Sequence, residues 1–208
     1  VDEARSFDHS VALARASGAR LISLHANAGD SAVAQMRDAA TLLERWGLPR
    51  DSVTFEKRVH RCCDDPVETI LDGLNRIQPD LVVAATHQRN SIARFFAGSR
   101  AEAIAHNVTA PPLLFSSDAR SFVRDDTGTL ALKRVLVPLG DDVESAAAVR
   151  TATWLANLVG SESIELVLLH VGGRGEPPTA DLDGYTWRLE NVVDGDVLGS
   201  ILAHAETA

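Results

Sequence analysis

The chain has 208 residues, enough for one large domain or two small ones, and its 45% hydrophobic content is ample for a buried core. A formal net charge of -9 argues against a general affinity for nucleic acid or anionic membrane, since a phosphate-binding surface needs clustered Lys and Arg. No apolar run approaches the ~20 residues needed to span a bilayer, and the start VDEARSFDHS lacks the charged-then-apolar pattern of a signal peptide.

A cytoplasmic protein with no nucleic-acid and no membrane partner is therefore expected. The only cysteines, Cys62 and Cys63, are adjacent, so they can neither staple distant segments nor form a C-x-x-C metal knuckle. A reducing compartment fits them. The chain opens on Val1 and closes on AHAETA straight after a helical pattern, and both ends read as fragment ends.

In chain order, the apolar positions Val11, Leu13, Ala14 and Ala16 predict a helix over 6–17, with Gly18 where a C-cap belongs. LISLHA (21–26) is an apolar run of strand length, suited to a parallel sheet covered on both faces. Apolar residues spaced by threes and fours from Ala32 to Trp46 predict a second helix over 30–46, closed by Gly47. SVTFEKRV alternates at period two and predicts a strand. Asp64 or Asp65 caps the next helix, with Pro66 in its first turn and VETILDGLNRI as its stripe. Pro79 precedes the strand DLVVAA, a loop leads to the helix SRAEAIAH (99–106), and PPLLFSS is the next strand. The order α-β-α-β-α-β-α-β implies right-handed crossovers and a parallel sheet.

SSDARSFVRDDTGTL is polar with little periodicity and reads as an inter-domain linker. After it the pattern restarts: strand KRVLVPLGDD, helix VESAAAVRTATWLANLVG, strand IELVLLHVGG. LISLHA pairs with LVLLHV and DPVETIL with DVLGSIL, as two copies of one unit. From His25 to Asp65 is 40 residues, but from His170 to Asp196 only 26. In that shorter interval GGRGEPPTADLDG replaces the amphipathic helix of the first copy, so a covering helix is missing or much reduced and that sheet face needs another cover. The expected domains are 1–117, a linker 118–130, and a partial second domain 131–208.

Catalytic motifs are absent: there is no G-x-S-x-G elbow, H-E-x-x-H, Walker G-x-x-x-x-G-K-[ST] or G-x-G-x-x-G. No enzyme is expected, and no catalytic or metal-ligating residue is assigned. His25 and His170, at strand ends, read as buried histidines bonded to backbone. Cys62-Cys63 reads as an incidental pair, although a position before a helix N-terminus can activate a thiol. Asp141, Asp142 and Glu144 read as acids complementing a helix dipole. Trp46, Trp154 and Trp187 read as packing residues.

An Asp at a strand-one end, a helix with A-L-A-x-x-x-G (Ala12 to Gly18), a strand ending in His, a Pro- or Asp-opened helix, D-L-V-V and a Gly-Ser before a helix together resemble the universal stress protein family. The likeness covers most of 1–123 and, more weakly, 131–208, as in a tandem member. It implies an α/β fold of two tandem universal-stress-protein-like (adenine nucleotide alpha hydrolase-like) parallel sheets with flanking helices, the second copy short. It also implies a non-enzymatic role in stress response and self-association, as a homodimer or as a pseudo-dimer of the two copies. Against the family's order, the first copy lacks most of strand one and the second lacks about three elements after its third helix. Either the sequence is incomplete at both ends or a partner provides the strands.

ATP-binding members of that family carry G-x-x-G, nine residues, then G-[ST]. Counted back from Gly98-Ser99, the G-x-x-G positions fall on Ala85, Thr86, His87 and Gln88, so both early glycines are replaced. Glycine there lets backbone approach a ribose or phosphate and takes positive φ freely. Ala85 adds one methyl, whereas Gln88 fills space over the phosphates and resists a left-handed turn. The resemblance also places Asp2 at the acid facing adenine, Ala26 after strand two, and Arg100 beside Gly98-Ser99, with Arg89 and Arg94 in reach of phosphate oxygens. ATP is the one candidate cofactor, at a degenerate site. The alternatives are an ATP-binding switch or slow ATPase, and a structural protein-interaction domain.

Overall fold

The computed structural model describes residues 2–27, 32–61, 65–86, 100–116, 119–140, 144–160, 164–172, 182–193 and 195–207. Cys62, Cys63, Asp64, Asp141, Asp142 and most of GGRGEPPTADLDG lie outside them. Two compact units divide the chain, Val1–Leu130 and Ala131–Ala208.

The first unit runs α1 (Asp2–Ser17), β1 (Leu21–Asn27), α2 (Ala32–Gln35), α3 (Ala39–Arg45), β2 (Phe55–Arg61), α4 (Pro66–Ile77), β3 (Val82–Ala85), α5 (Arg100–Asn107) and β4 (Pro112–Phe115). β1 pairs in parallel with β2, from Leu21 opposite Phe55 to Asn27 opposite Arg61. β3 pairs in parallel with β4, from Val82 opposite Pro112 to Ala85 opposite Phe115. Among the described residues these are separate two-stranded sheets, and α1 packs on β1, β3 and β4.

The reason α1 serves as the hub is its apolar stripe. Val11, Ala12 and Ala14 meet Ala39, Leu42 and Leu43 of α3, with Trp46, Val53 and Val123 completing the cluster. An ion pair from Arg45 to Asp8 at 3.1 Å ties the rim of the same two helices. Gly18 follows α1 at φ +68, a left-handed position where a side chain is disfavoured.

Three expectations change here. The helix expected over 30–46 is two helices, because Asp38 adopts an extended conformation (φ -119, ψ 126) and its carboxylate accepts the Thr41 N–H at 3.2 Å. Lys57 of β2 fixes the break by donating to the Met36 carbonyl at 3.0 Å and pairing with Asp38 at 3.3 Å. Asp2, expected at a strand end, is the first residue of helix α1. The segment 118–130, polar enough to read as a linker, belongs to the first unit from Ala119 onward, where Val123 enters the core and bridges antiparallel to Leu130.

The second unit runs β5 (Arg134–Leu139), α6 (Glu144–Val159), β6 (Glu165–Val171), β7 (Thr186–Val192) and α7 (Val197–Thr207). Its parallel sheet has the order β5-β6-β7. Central β6 is buried from Leu166 to His170, as a strand covered on both faces should be. Glu165 joins the strand starts, accepting from Arg134 Nε at 2.9 Å on β5 and from Arg188 Nη1 at 2.6 Å on β7.

β7 is less well covered. Glu190 pairs with His204 at 3.3 Å, so α7 lies on the Glu190 face. Trp187 is three residues away and therefore points to the opposite face, where it is 39% exposed. Trp154 of α6 is also exposed, so of the three tryptophans expected to be packing residues only Trp46 is buried.

Candidate functional site

The ends of β1 and β3 carry the positions expected at a nucleotide site. Ala26 lies near the C-terminal end of β1, opposite His60, and is half-buried. Ala85 is the last residue of β3 and is still in register with Phe115. Asp2 and Arg100 each open a helix, α1 and α5, and Arg100 is exposed. Gln88, Gly98 and Ser99, together with His87, Arg89 and Arg94, lie outside the described residues.

Thr86 shows what the chain does where a phosphate loop would begin. Its N–H donates to the Phe115 carbonyl at 2.8 Å, and its hydroxyl donates to the same oxygen at 3.4 Å. Only 3% of the residue is exposed. Both of its donors are thus committed to β4, and the backbone at Ala85 and Thr86 continues the ladder. The N–H groups of 87–99, which would face a phosphate, lie outside the described residues.

The two strand-end histidines differ. His170, in the middle strand of its sheet, is 1% exposed, whereas His25 in β1 is exposed, because β1 has a described strand neighbour on one side only. The buried role expected for both therefore fits His170 alone. Asp65 does cap α4: its carboxylate accepts the Val67 N–H at 2.7 Å and the Glu68 N–H at 3.4 Å, with Pro66 opening the first turn.

Two features were not read from the sequence. A polar groove of about 300 Å³ lies between β2 and α4, lined by His60, Arg61, Thr69, Asp72 and Arg76. Gly73 makes this packing close, since a Cβ there would stand 2.8 Å from Leu24 Cδ2 and 3.1 Å from His60 Cε1. The second feature is His9, fully buried in α1 between the rings of Phe115 and Phe122 at 4.3 Å each. A lone histidine in the apolar stripe between Phe7 and Val11 was the available signal. Among the described residues, no group of three or more His, Cys, Asp or Glu is placed to hold a metal ion, and no helix is long and apolar enough to cross a membrane.

A model of the universal stress protein family matches residues 2–116. No curated protein matches the chain. Among solved structures, the crystal structure of a universal stress protein from Archaeoglobus fulgidus DSM 4304 is similar, with a TM-score of 0.61 over 100% of this chain and 78% of that one. At 19% identity that likeness speaks to fold alone.

Proposed function

The chain belongs to the universal stress protein family, and on that footing we propose that it is a non-enzymatic stress-response module whose first unit carries a degenerate nucleotide site. The observation that carries this reading is Thr86. Where the family's ATP-binding pattern has a glycine-led turn, this chain has a strand-continuing Ala85 and a Thr86 whose N–H and hydroxyl both go to Phe115. Gln88 then stands at the second glycine position. The late Gly98-Ser99 pair is kept, so the residual affinity for ATP is weak or nil.

Nucleotide carried through purification tests it. Denatured, gently purified protein should release no stoichiometric adenine nucleotide. Release of one per chain, abolished by Gly98→Ala or Ser99→Ala, would instead support an ATP-binding switch or slow ATPase.

The exposed Trp187 favours a second, compatible reading in which the module works through self-association. Sedimentation of the full chain should show a dimer that Trp187→Arg weakens at least tenfold. A monomer at all accessible concentrations would remove this reading.

A further inference from the structure

Residues 119–130 form a strap across α1 and the end of α3, held at its start and its middle. At its start Arg5 of α1 donates to the Ala119 carbonyl. Further along, the Trp46 indole donates to the Asp125 carbonyl at 3.1 Å. Between them lies His9. Its Nδ1 is 2.7 Å from the Arg5 carbonyl, an oxygen that can only accept, so Nδ1 carries the proton. Nε2 is then a bare lone pair, and it accepts the Phe122 N–H at 3.2 Å. Ser121 Oγ stands 3.5 Å from the same nitrogen and also accepts from the Val123 N–H at 3.2 Å.

We propose that His9 is a proton-operated latch: neutral, it holds the strap 119–130 onto the first unit, and protonation of Nε2 releases the strap. The added proton would occupy the lone pair that binds Phe122, setting two N–H groups against each other. Ser121 Oγ, 3.5 Å away, lies beyond ordinary hydrogen-bond length, so a protonated Nε2 reaches it only if the strap moves.

The charged groups facing His9 do not change this direction. Burial lowers its pKa from 6.5, outweighing the hydrogen bond to the Arg5 carbonyl and the carboxylates of Asp8 on α1 and Asp125 on the strap, which raise it; the Arg5 guanidinium lowers it further. Asp8 is itself shared with Arg45 at 3.1 Å and Arg37 at 4.0 Å, which weakens its pull on the imidazole. With the closed-state pKa below the open-state value, the open strap binds more protons. Latch stability is therefore full above about pH 6.5 and is lost as pH falls through the closed-state value. Ala131 follows the strap directly and begins the second unit, so release adds these residues to the connection between units.

Amide exchange of the full chain, resolved by NMR between pH 8 and 5 and corrected for intrinsic rates, tests the latch. Phe122 protection should be flat above pH 6.5 and fall by up to about tenfold per pH unit below it, while Leu24 in β1 stays protected. The fall should level off at the pH where the His9 ring of the closed strap titrates. His9→Gln, whose Oε1 accepts but gains no proton, should keep the strap closed throughout. Protection that persists to pH 5 in the wild type, a fall that continues unchanged below the pH where the His9 ring titrates, simultaneous loss at Leu24, or the same loss in His9→Gln would each overturn the proposal. Should His9→Gln fail to fold, the wild-type Phe122 profile and the His9 ring titration decide alone.

Discussion

The α-carbon of Gly128 lies against the face of the Trp46 indole, at φ +65, with the indole N–H held by Asp125 at 3.1 Å. A Cβ at this position would stand 2.2 Å from Trp46 Cε3, and Trp46 is 5% exposed, so the ring has nowhere to go. Gly128→Ala therefore combines a left-handed backbone penalty with overpacking, for a loss of about 2–4 kcal/mol. Gly18, in the same unit, is the control. It has a similar φ of +68 with open space around it, so Gly18→Ala should cost only about 1 kcal/mol. Urea unfolding of the two variants checks the difference, and equal losses would show that the strap does not press on Trp46.

A second glycine makes a prediction of sign. In an open helix interior, replacing Gly by Ala gains about 1 kcal/mol. At Gly73 in α4 the new methyl would meet Leu24 Cδ2 at 2.8 Å and the His60 ring at 3.1 Å, so Gly73→Ala should destabilise by about 1 kcal/mol. In a Leu24→Ala background the same change should become stabilising. A double-mutant cycle of thermal unfolding reads the coupling, and an identical effect in both backgrounds would contradict the close packing of α4 on β1.

Capping gives a third. Asp65→Ala removes an acceptor shared by the Val67 and Glu68 N–H groups and should cost about 1 kcal/mol, while Asp65→Asn or Asp65→Ser should cost less than half of that. Circular dichroism through thermal melting separates the three. Equal losses would mean that charge, rather than the accepted hydrogen bonds, carries the effect.

Periodicity made the order of strands and helices legible, because buried parallel strands such as β6 and amphipathic helices such as α4 announce themselves in short windows. It could not locate the break at Asp38, where the apolar spacing runs through unchanged and the deciding partner, Lys57, comes from a different strand. Nor could it see that 119–130 folds onto the first unit. That segment is polar in composition, and its attachment depends on Val123 and on single hydrogen bonds donated by Arg5 and Trp46 and accepted by His9, all distant in sequence. The candidate site rests on motif spacing. What the spacing could not reveal is that the Thr86 N–H is already spent on Phe115, since that depends on the β3–β4 register.

Calorimetric titration of the full chain with Mg-ATP tests the degenerate site most directly, comparing wild type, Gln88→Gly and the double variant Ala85→Gly with Gln88→Gly. Weak or no saturable heat is predicted for the wild type, with affinity rising at least tenfold as the glycines return. Tight one-to-one binding by the wild type, left unchanged by Gln88→Gly, would contradict the account.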